Sequence, residues 1–316
     1  MIVKRILGST PVFELSARGL YYSNSRIINS ISRSVSCKMK QRRSPDIKAP
    51  SINDGFKIID DYISTLGIKQ GDLLIVHSSS DELLKLGLNP NEVLFYLRDL
   101  IGREGTLAIP CFPLYNKRNY DPSRKLFVYS PKRTLCSTGL IPNLFLRKSD
   151  VIRSFFPWNS LAAQGPLASG MMKGNLNTDL AHGKGSAWEY CMRHNAKILL
   201  LGTRSCRSTT MVHVAEDIMD EEWPISNWYE TRSFLIKNNS SERQMEIRIR
   251  KPEWARYNAS LYRSAQFEKM GILREKQIAG ISVGFIEDSR RMVDYVIERT
   301  NERKPFFVVP KRCYKK

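Results

Sequence analysis

Residues 197–217 read KILLLGTRSCRSTTMVHVAED. The apolar run 198–201, closed by Gly202, has the pattern of a central strand covered on both faces. Residues 203–210 hold no large apolar side chain and several hydroxyls, which suits a loop leading into a helix cap. In the helix expected next, His213 and Glu216 stand three residues apart and share a face. Histidine can take a proton near neutral pH, and a carboxylate beside it can orient the ring. An acid–base pair just past the C-terminal end of a buried strand is where α/β proteins usually keep their chemistry. The competing reading is that Met211, Val212, Val214 and Ala215 simply pack the helix, with His213 a structural histidine.

Upstream, helical spacing of Phe56, Ile59, Tyr62, Ile63 and Leu66 predicts a helix over 51–66 that Gly67 ends. A short strand over 73–76 runs into His77-Ser78-Ser79-Ser80, where free backbone N–H groups and hydroxyls suit an anion. A helix over 89–101 and a strand over 106–109 complete a βαβ unit, which implies parallel pairing. Residues 115–131 read as a long polar and aromatic loop, and 153–165 as a segment of exposed aromatics. Strands over 233–236 and 245–250 flank a turn and predict a hairpin, with Glu246, Arg248 and Arg250 on a solvated face. A strand over 281–286 and a helix capped by Asp288 close the chain. The fold class expected is α/β, a mostly parallel central sheet flanked by helices, with an inserted β-hairpin subdomain.

The 316 residues carry a formal net charge of +19. Residues 1–50 hold ten Lys/Arg against Glu14 and Asp46, so the rest of the chain is basic as well. That balance favours anionic partners such as phosphorylated cofactors or nucleotide-linked substrates. Residues 1–48, Ser- and Arg-rich and poor in acid, resemble a transit peptide or a disordered basic extension and are set apart from a domain over 49–316. With only Phe13, Tyr21 and Tyr22 they lack the interleaved aromatics of a nucleic-acid stacking platform. No run approaches the roughly 18 apolar residues of a membrane span. A soluble cytoplasmic protein is therefore expected, or one of an organelle matrix if 1–48 is a transit peptide. The six cysteines are scattered, without a CxxC pair or metal-like spacing, and read as reduced thiols with no metal site.

Five pieces then fall in a familiar order. Gly67 and residues 71–79 match GxxxGDxxxVHSS, and residues 105–110 match GTLxxP. Arg153, Ser154, Pro157 and Ser160 match RSxHPxxS in part. Gly183, Ser186 and Trp188 match GxxSPW in part. Residues 199–202 with Thr210, His213 and Glu216 match LLxG…TxxHxxE. In these the chain resembles the aminoglycoside 3-N-acetyltransferase family, the antibiotic N-acetyltransferase fold, over about residues 52–300. The resemblance implies transfer from acetyl-CoA to the amino group of a small molecule. It places His77, Ser78, Ser79, Ser80, Pro110, Cys111 and Phe112 beside the CoA arm. It makes His213 the general base, oriented by Glu216, and puts Trp158, Asn159 and His182 on the acceptor side. Direct transfer is expected, with a covalent route through Cys111 as the alternative. The pattern departs at Phe156 and Asn159, where histidines are usual, and at Ala187, usually proline. The basic charge of the body favours an amino sugar or related amine over a polycationic antibiotic as acceptor, and the lost acceptor-side groups leave a CoA-binding protein of weakened activity as the second reading.

Overall fold

The computed structural model describes residues 9–23, 52–238 and 241–315. Helix α1 spans Pro11–Ser23, and α2 spans Ile52–Ile63 with a 3-10 turn behind it that Gly67 closes at φ 82°. Strand β1 (Leu73–Ser78) is followed by α3 (Ser80–Leu84), α4 (Pro90–Ile101) and β2 (Thr106–Pro110). The start of α4 is set by Asn89, whose side chain accepts from the Asn91 N–H, with Pro90 at the first helical position. Next come β3 (Tyr120–Asp121), β4 (Leu126–Tyr129), α5 (Leu140–Phe145), β5 (Ile152–Arg153) and β6 (Leu161–Gln164). Helices α6 (Ala168–Met172) and α7 (Ala187–Arg193) lead to β7 (Lys197–Leu201), α8 (Ser205–Ser208) and α9 (Val212–Met219). The last part is β8 (Tyr229–Lys237), β9 (Glu242–Arg250), α10 (Ser260–Lys269), β10 (Leu273–Ile278), β11 (Ile281–Ile286) and α11 (Ser289–Asn301).

Seven strands form the main sheet in the order β10-β11-β7-β1-β2-β6-β5. Its centre is parallel: β1 pairs with β2 (Leu74 opposite Leu107) and with β7 (Val76 opposite Leu199). The flanking strands β11, β6, β10 and β5 are antiparallel, so parallel pairing is concentrated where the βαβ unit was read. Strand pleat sends alternate side chains to opposite faces. Ile75, Ala108, Ile198 and Leu200 therefore pack one layer with Trp188, Val212, Ala215, Met292 and Val293. Leu74, Val76, Leu107, Leu199 and Leu201 pack the other with Ile59, Ile63, Leu97, Ile101 and Phe145. Covering on both faces is why these strands read as continuous apolar runs.

The second sheet has the order β3-β4-β8-β9. The hairpin read over 233–250 is present and longer, pairing from Tyr229 with Arg250 to Lys237 with Glu242. The supposed loop over 115–131 supplies β3 and β4, and β4 runs parallel to β8, with Phe127 opposite Phe234. The aromatics read as exposed over 153–165 are partly core: Phe156 is 3% exposed and packs with Tyr129, Phe234 and Ile247. The Arg248 N–H donates to the Asp179 carbonyl at 2.8 Å, which ties β9 to the segment before His182.

Gly202 turns the chain out of β7 at φ 70°, where a Cβ would lie 2.8 Å from Glu82 Cβ and 3.2 Å from the Ser79 carbonyl oxygen. Only glycine fits both the left-handed backbone and that approach. Helix α1, from the stretch set apart as an extension, lies on α10. Its buried Glu14 accepts from the Leu261 and Tyr262 N–H groups at 3.1 and 2.8 Å, where the first turn of a helix leaves its donors free. The remainder of 1–48, Cys37, and the Asn239-Ser240 part of the hairpin turn lie outside the described residues. The other five cysteines are free thiols. Among the described residues no helix is long and apolar enough to cross a membrane.

Candidate active site

The turn after β7 delivers α9 to the C-terminal ends of β1 and β7. His213 Nδ1 lies 2.7 Å from Glu216 Oε1, the contact that i, i+3 spacing on one helix face allows. The Glu216 side chain is 3% exposed and that of His213 19%. With Nδ1–H donating to Glu216, Nε2 is left as the basic nitrogen of the ring. Arg250 places Nη1 3.4 Å from Glu216 Oε2 and 3.3 Å from His213 Nδ1, with its guanidinium over the rings of Trp228 and Phe307. Burial holds the His213 pKa below that of an ordinary histidine, and the Arg250 and His182 charges push the same way, against Glu216. Burial works against ionised Glu216, but His213 and Arg250 outweigh it and bring its pKa to about 2. The pair at neutral pH is a neutral imidazole on a carboxylate.

A second histidine stands beside the first. His182, 5% exposed, has its ring centroid 5.4 Å from that of His213. Its Nδ1 lies 2.9 Å from Asp217 Oδ2, which also accepts the His182 backbone N–H at 3.0 Å, while Asp217 Oδ1 accepts from the Tyr229 hydroxyl at 2.9 Å. The Asn159 amide is 3.3 Å from His182 Nε2. Asn159 takes a left-handed φ of 44°, tolerable for asparagine. Its carbonyl accepts from Trp188 Nε1 at 2.7 Å. Trp188 is itself set by the first turn of α7, where Ser186 Oγ accepts from the Glu189 N–H.

Two cavities meet here. The larger, about 380 Å³, is lined by Trp158, Asn159, His182, His213, Glu216, Asp217, Arg248 and Arg250 among others. The smaller, about 160 Å³, is lined by His77, Ser78, Pro110, Thr138, Pro142 and Ser208 among others. Phe112, Arg207 and Thr210 line both. Two residues of the smaller cavity, His77 and Ser78, each carry a buried polar atom without a partner, Nε2 and Oγ. A buried polar group without a bond costs stability, so its presence at a cavity points to a ligand.

The structure thus brings His77, Ser78, Pro110 and Phe112 to one cavity and Trp158, Asn159, His182, His213 and Glu216 to the other. Ser79, Ser80 and Cys111 line neither. Ser79 donates its N–H to the Leu201 carbonyl, and Ser80 Oγ accepts from the Ile141 N–H. Cys111 is fully buried in the core layer under α4, and burial pushes its thiol well above the ordinary value. Its thiolate is therefore scarce and out of reach of either cavity. Sequence reasoning missed Asp217, Arg248 and Arg250, which line the larger cavity, and Tyr229, which bonds to Asp217 from behind it. The arginines come from the hairpin face read as solvated; that face turns inward because β9 lies against residues 179–182. The adjacent acids Glu216 and Asp217 were the available signal for the second pair.

His77 is expected to set an acid limb in stability. Burial lowers its pKa from 6.5 to about 3, so the folded state keeps it neutral while the unfolded chain takes up a proton. Its full contribution is present above pH 6.5 and is lost as pH falls toward 3. Replacing it by glutamine should flatten the fall in unfolding free energy between about pH 6 and pH 4 by about 1.4 kcal/mol per pH unit, read from urea curves. An unchanged slope shows that His77 is protonated or solvated in the folded protein.

A model of the family described as aminoglycoside 3-N-acetyltransferase matches residues 75–300, which takes in both cavities. The chain belongs to the aminoglycoside 3-N-acetyltransferase family. It is 28% identical over 170 residues to aminoglycoside N(3)-acetyltransferase IX of Micromonospora chalcea, covering 50% of this chain and 60% of that protein. Against aminoglycoside N(3)-acetyltransferase III of Serratia marcescens it is 30% identical over 164 residues, 48% of this chain and 60% of the relative. The matched stretch thus spans about 60% of the length of these curated relatives. In fold it is similar to AAC-IIIb solved as a binary complex with CoASH, at TM-score 0.66 and 18% identity over 81% of this chain and 98% of that one. It is equally similar to AAC-VIa bound to sisomicin, at TM-score 0.66 and 18% identity over 79% and 97%. The α/β class read from the sequence is the fold of these family members.

Proposed function

We propose that this chain transfers the acetyl group of acetyl-CoA to the amino group of a small molecule, an amino sugar or related amine. The observation that carries the reading is the His213–Glu216 pair on a cavity that joins a second cavity at Phe112, Arg207 and Thr210. Family membership and the fold shared with a CoASH-bound relative support acetyl-CoA as donor. The unpartnered Ser78 hydroxyl fits the donor cavity, since it is a buried donor with nothing yet to bond. Acetyl-CoA supplies an activated thioester carbonyl carbon.

His213 Nε2 takes the proton from the acceptor amine as the amine nitrogen bonds to that carbon, and Glu216 holds the imidazolium that results. The Ser78 hydroxyl donates to the carbonyl oxygen as negative charge builds there. The carbon–sulfur bond breaks, the amide is left on the acceptor, and CoA departs with a proton returned from His213. His182, held by Asp217 and Asn159, orients the acceptor from the other wall. The position that departs from the family pattern at Phe156 lies in the core of the second sheet and lines neither of these two cavities, which removes a reason for the weakened-activity reading.

The test is thiol release from acetyl-CoA with a panel of amines, including amino sugars and aminoglycosides, with the acetylated amine detected by mass spectrometry. Matched release of thiol and acetylated amine is expected with at least one amine. Binding of CoA without transfer to any member of the panel contradicts the reading.

A further inference from the structure

We propose that the acceptor is an amino sugar carrying a phosphate group, held through Arg207; this rests on the acetyl-transfer reading of the same site. The larger cavity is lined by three arginines, Arg207, Arg248 and Arg250, and by two acids, Glu216 and Asp217. Both carboxylates are already engaged. Glu216 accepts from His213 and Arg250, and Asp217 accepts from the His182 ring, the His182 N–H and the Tyr229 hydroxyl. A polycationic amine is held by acidic side chains with accepting oxygens to spare. Here Glu216 and Asp217, the two carboxylates lining the cavity, each already hold two neighbours, His213 with Arg250 and His182 with Tyr229.

The cations are placed differently. Arg248 bonds to Asp179 and Asp220, neither of which lines the cavity, and Arg250 is held between Glu216 and the Trp228 and Phe307 rings. Arg207 is exposed, and its guanidinium makes no hydrogen bond or ion pair with any described residue. It stands where the two cavities meet, beside Thr210. Its planar fork of donors matches a phosphate group. In the proposed complex the thioester reaches that junction, and the pantetheine arm keeps the phosphates of CoA away from it. An anion there, next to the reacting amine, belongs to the acceptor.

Calorimetric titration of the CoA-loaded protein tests this with four probes: glucosamine 6-phosphate, a nucleoside-diphosphate-linked glucosamine, glucosamine and sisomicin. At least one phosphorylated probe should bind about tenfold or more tighter than glucosamine, and sisomicin no tighter than glucosamine. Which of the two phosphorylated probes wins distinguishes a phosphate monoester from a diphosphate linkage. Arg207→Gln should bring the phosphorylated probe close to glucosamine, while Arg207→Lys retains part of the preference. Equal binding of phosphorylated and plain sugar, tighter binding of sisomicin, or a preference unchanged in Arg207→Gln overturns the proposal. So does a loss of CoA affinity in Arg207→Gln with the acceptor preference intact, which assigns the residue to the donor. Thiol release separates the two levels. Turnover of sisomicin and glucosamine but of neither phosphate leaves acetyl transfer standing and removes the phosphorylated acceptor. Arg207-dependent binding of the phosphorylated sugar with no turnover of any probe keeps the phosphate site but removes acetyl transfer, and with it the role of acceptor.

Discussion

His213→Ala lowers the rate of acetyl transfer by about a hundred-fold or more, the scale of a lost general base, with the thermal midpoint little changed. The expectation follows from its position: a ring at the cavity wall, bonded through Nδ1 to a buried carboxylate and free at Nε2. The sign of the pH dependence follows as well. The reactive form is the neutral ring, and burial together with Arg250 and His182 holds its pKa below the ordinary 6.5. Wild-type activity is therefore kept as pH falls to 6.5 and lost only below it, in a limb set by this residue. Glu216→Gln removes the charge that opposes the lowering, so its acid limb moves to still lower pH, while the rate falls by about tenfold as the imidazolium loses its counter-charge. Profiles of kcat/KM against pH for the three proteins decide it. A wild-type rate in His213→Ala assigns the base elsewhere.

Trp188→Ala has the largest expected effect on stability, a loss of about 3–5 kcal/mol by denaturant unfolding. The indole is 1% exposed, and its ring stands 6.3 Å from His77, 6.5 Å from Phe112 and 5.9 Å from His182 between centroids. It thus separates the walls of both cavities as well as filling the core layer under α7 and α9. Truncation leaves a void, and it leaves the Asn159 carbonyl without the N–H that now reaches it at 2.7 Å. Trp188→Phe keeps most of the volume and loses the bond, so it should cost about 1–2 kcal/mol and release Asn159 from the acceptor wall. A loss under about 1 kcal/mol in the alanine variant would show that the site collapses onto the gap.

The centre of the fold was legible because its strands are buried on both faces. The run 198–201 and its closing Gly202 carry that signal in adjacent residues, as do 73–76 and 106–109. His213 and Glu216 were legible for a similar reason, being one helical turn apart. What could not be read depends on distant contacts. Strand β4 pairs with β8 across more than a hundred residues of chain, so its own short sequence reads as loop. The alternation in β9 gives Arg248 and Arg250 a polar face but not what that face meets; only the contact with residues 179–182 turns it inward. His182 and Asp217 are joined across 35 positions. The resemblance places Cys111 with Pro110 and Phe112 at the CoA arm, yet neighbours in an extended chain face opposite ways, and its side chain lies in the core layer away from both cavities.

The most direct measurement mixes the protein with acetyl-CoA in the absence of any acceptor and follows thiol release and the mass of the protein. Direct transfer at the junction of the two cavities predicts no burst of thiol and no acetylated protein; addition of the acceptor then starts release at the steady rate. A stoichiometric burst of CoA with an acetyl group retained on the chain would contradict it and restore a covalent route.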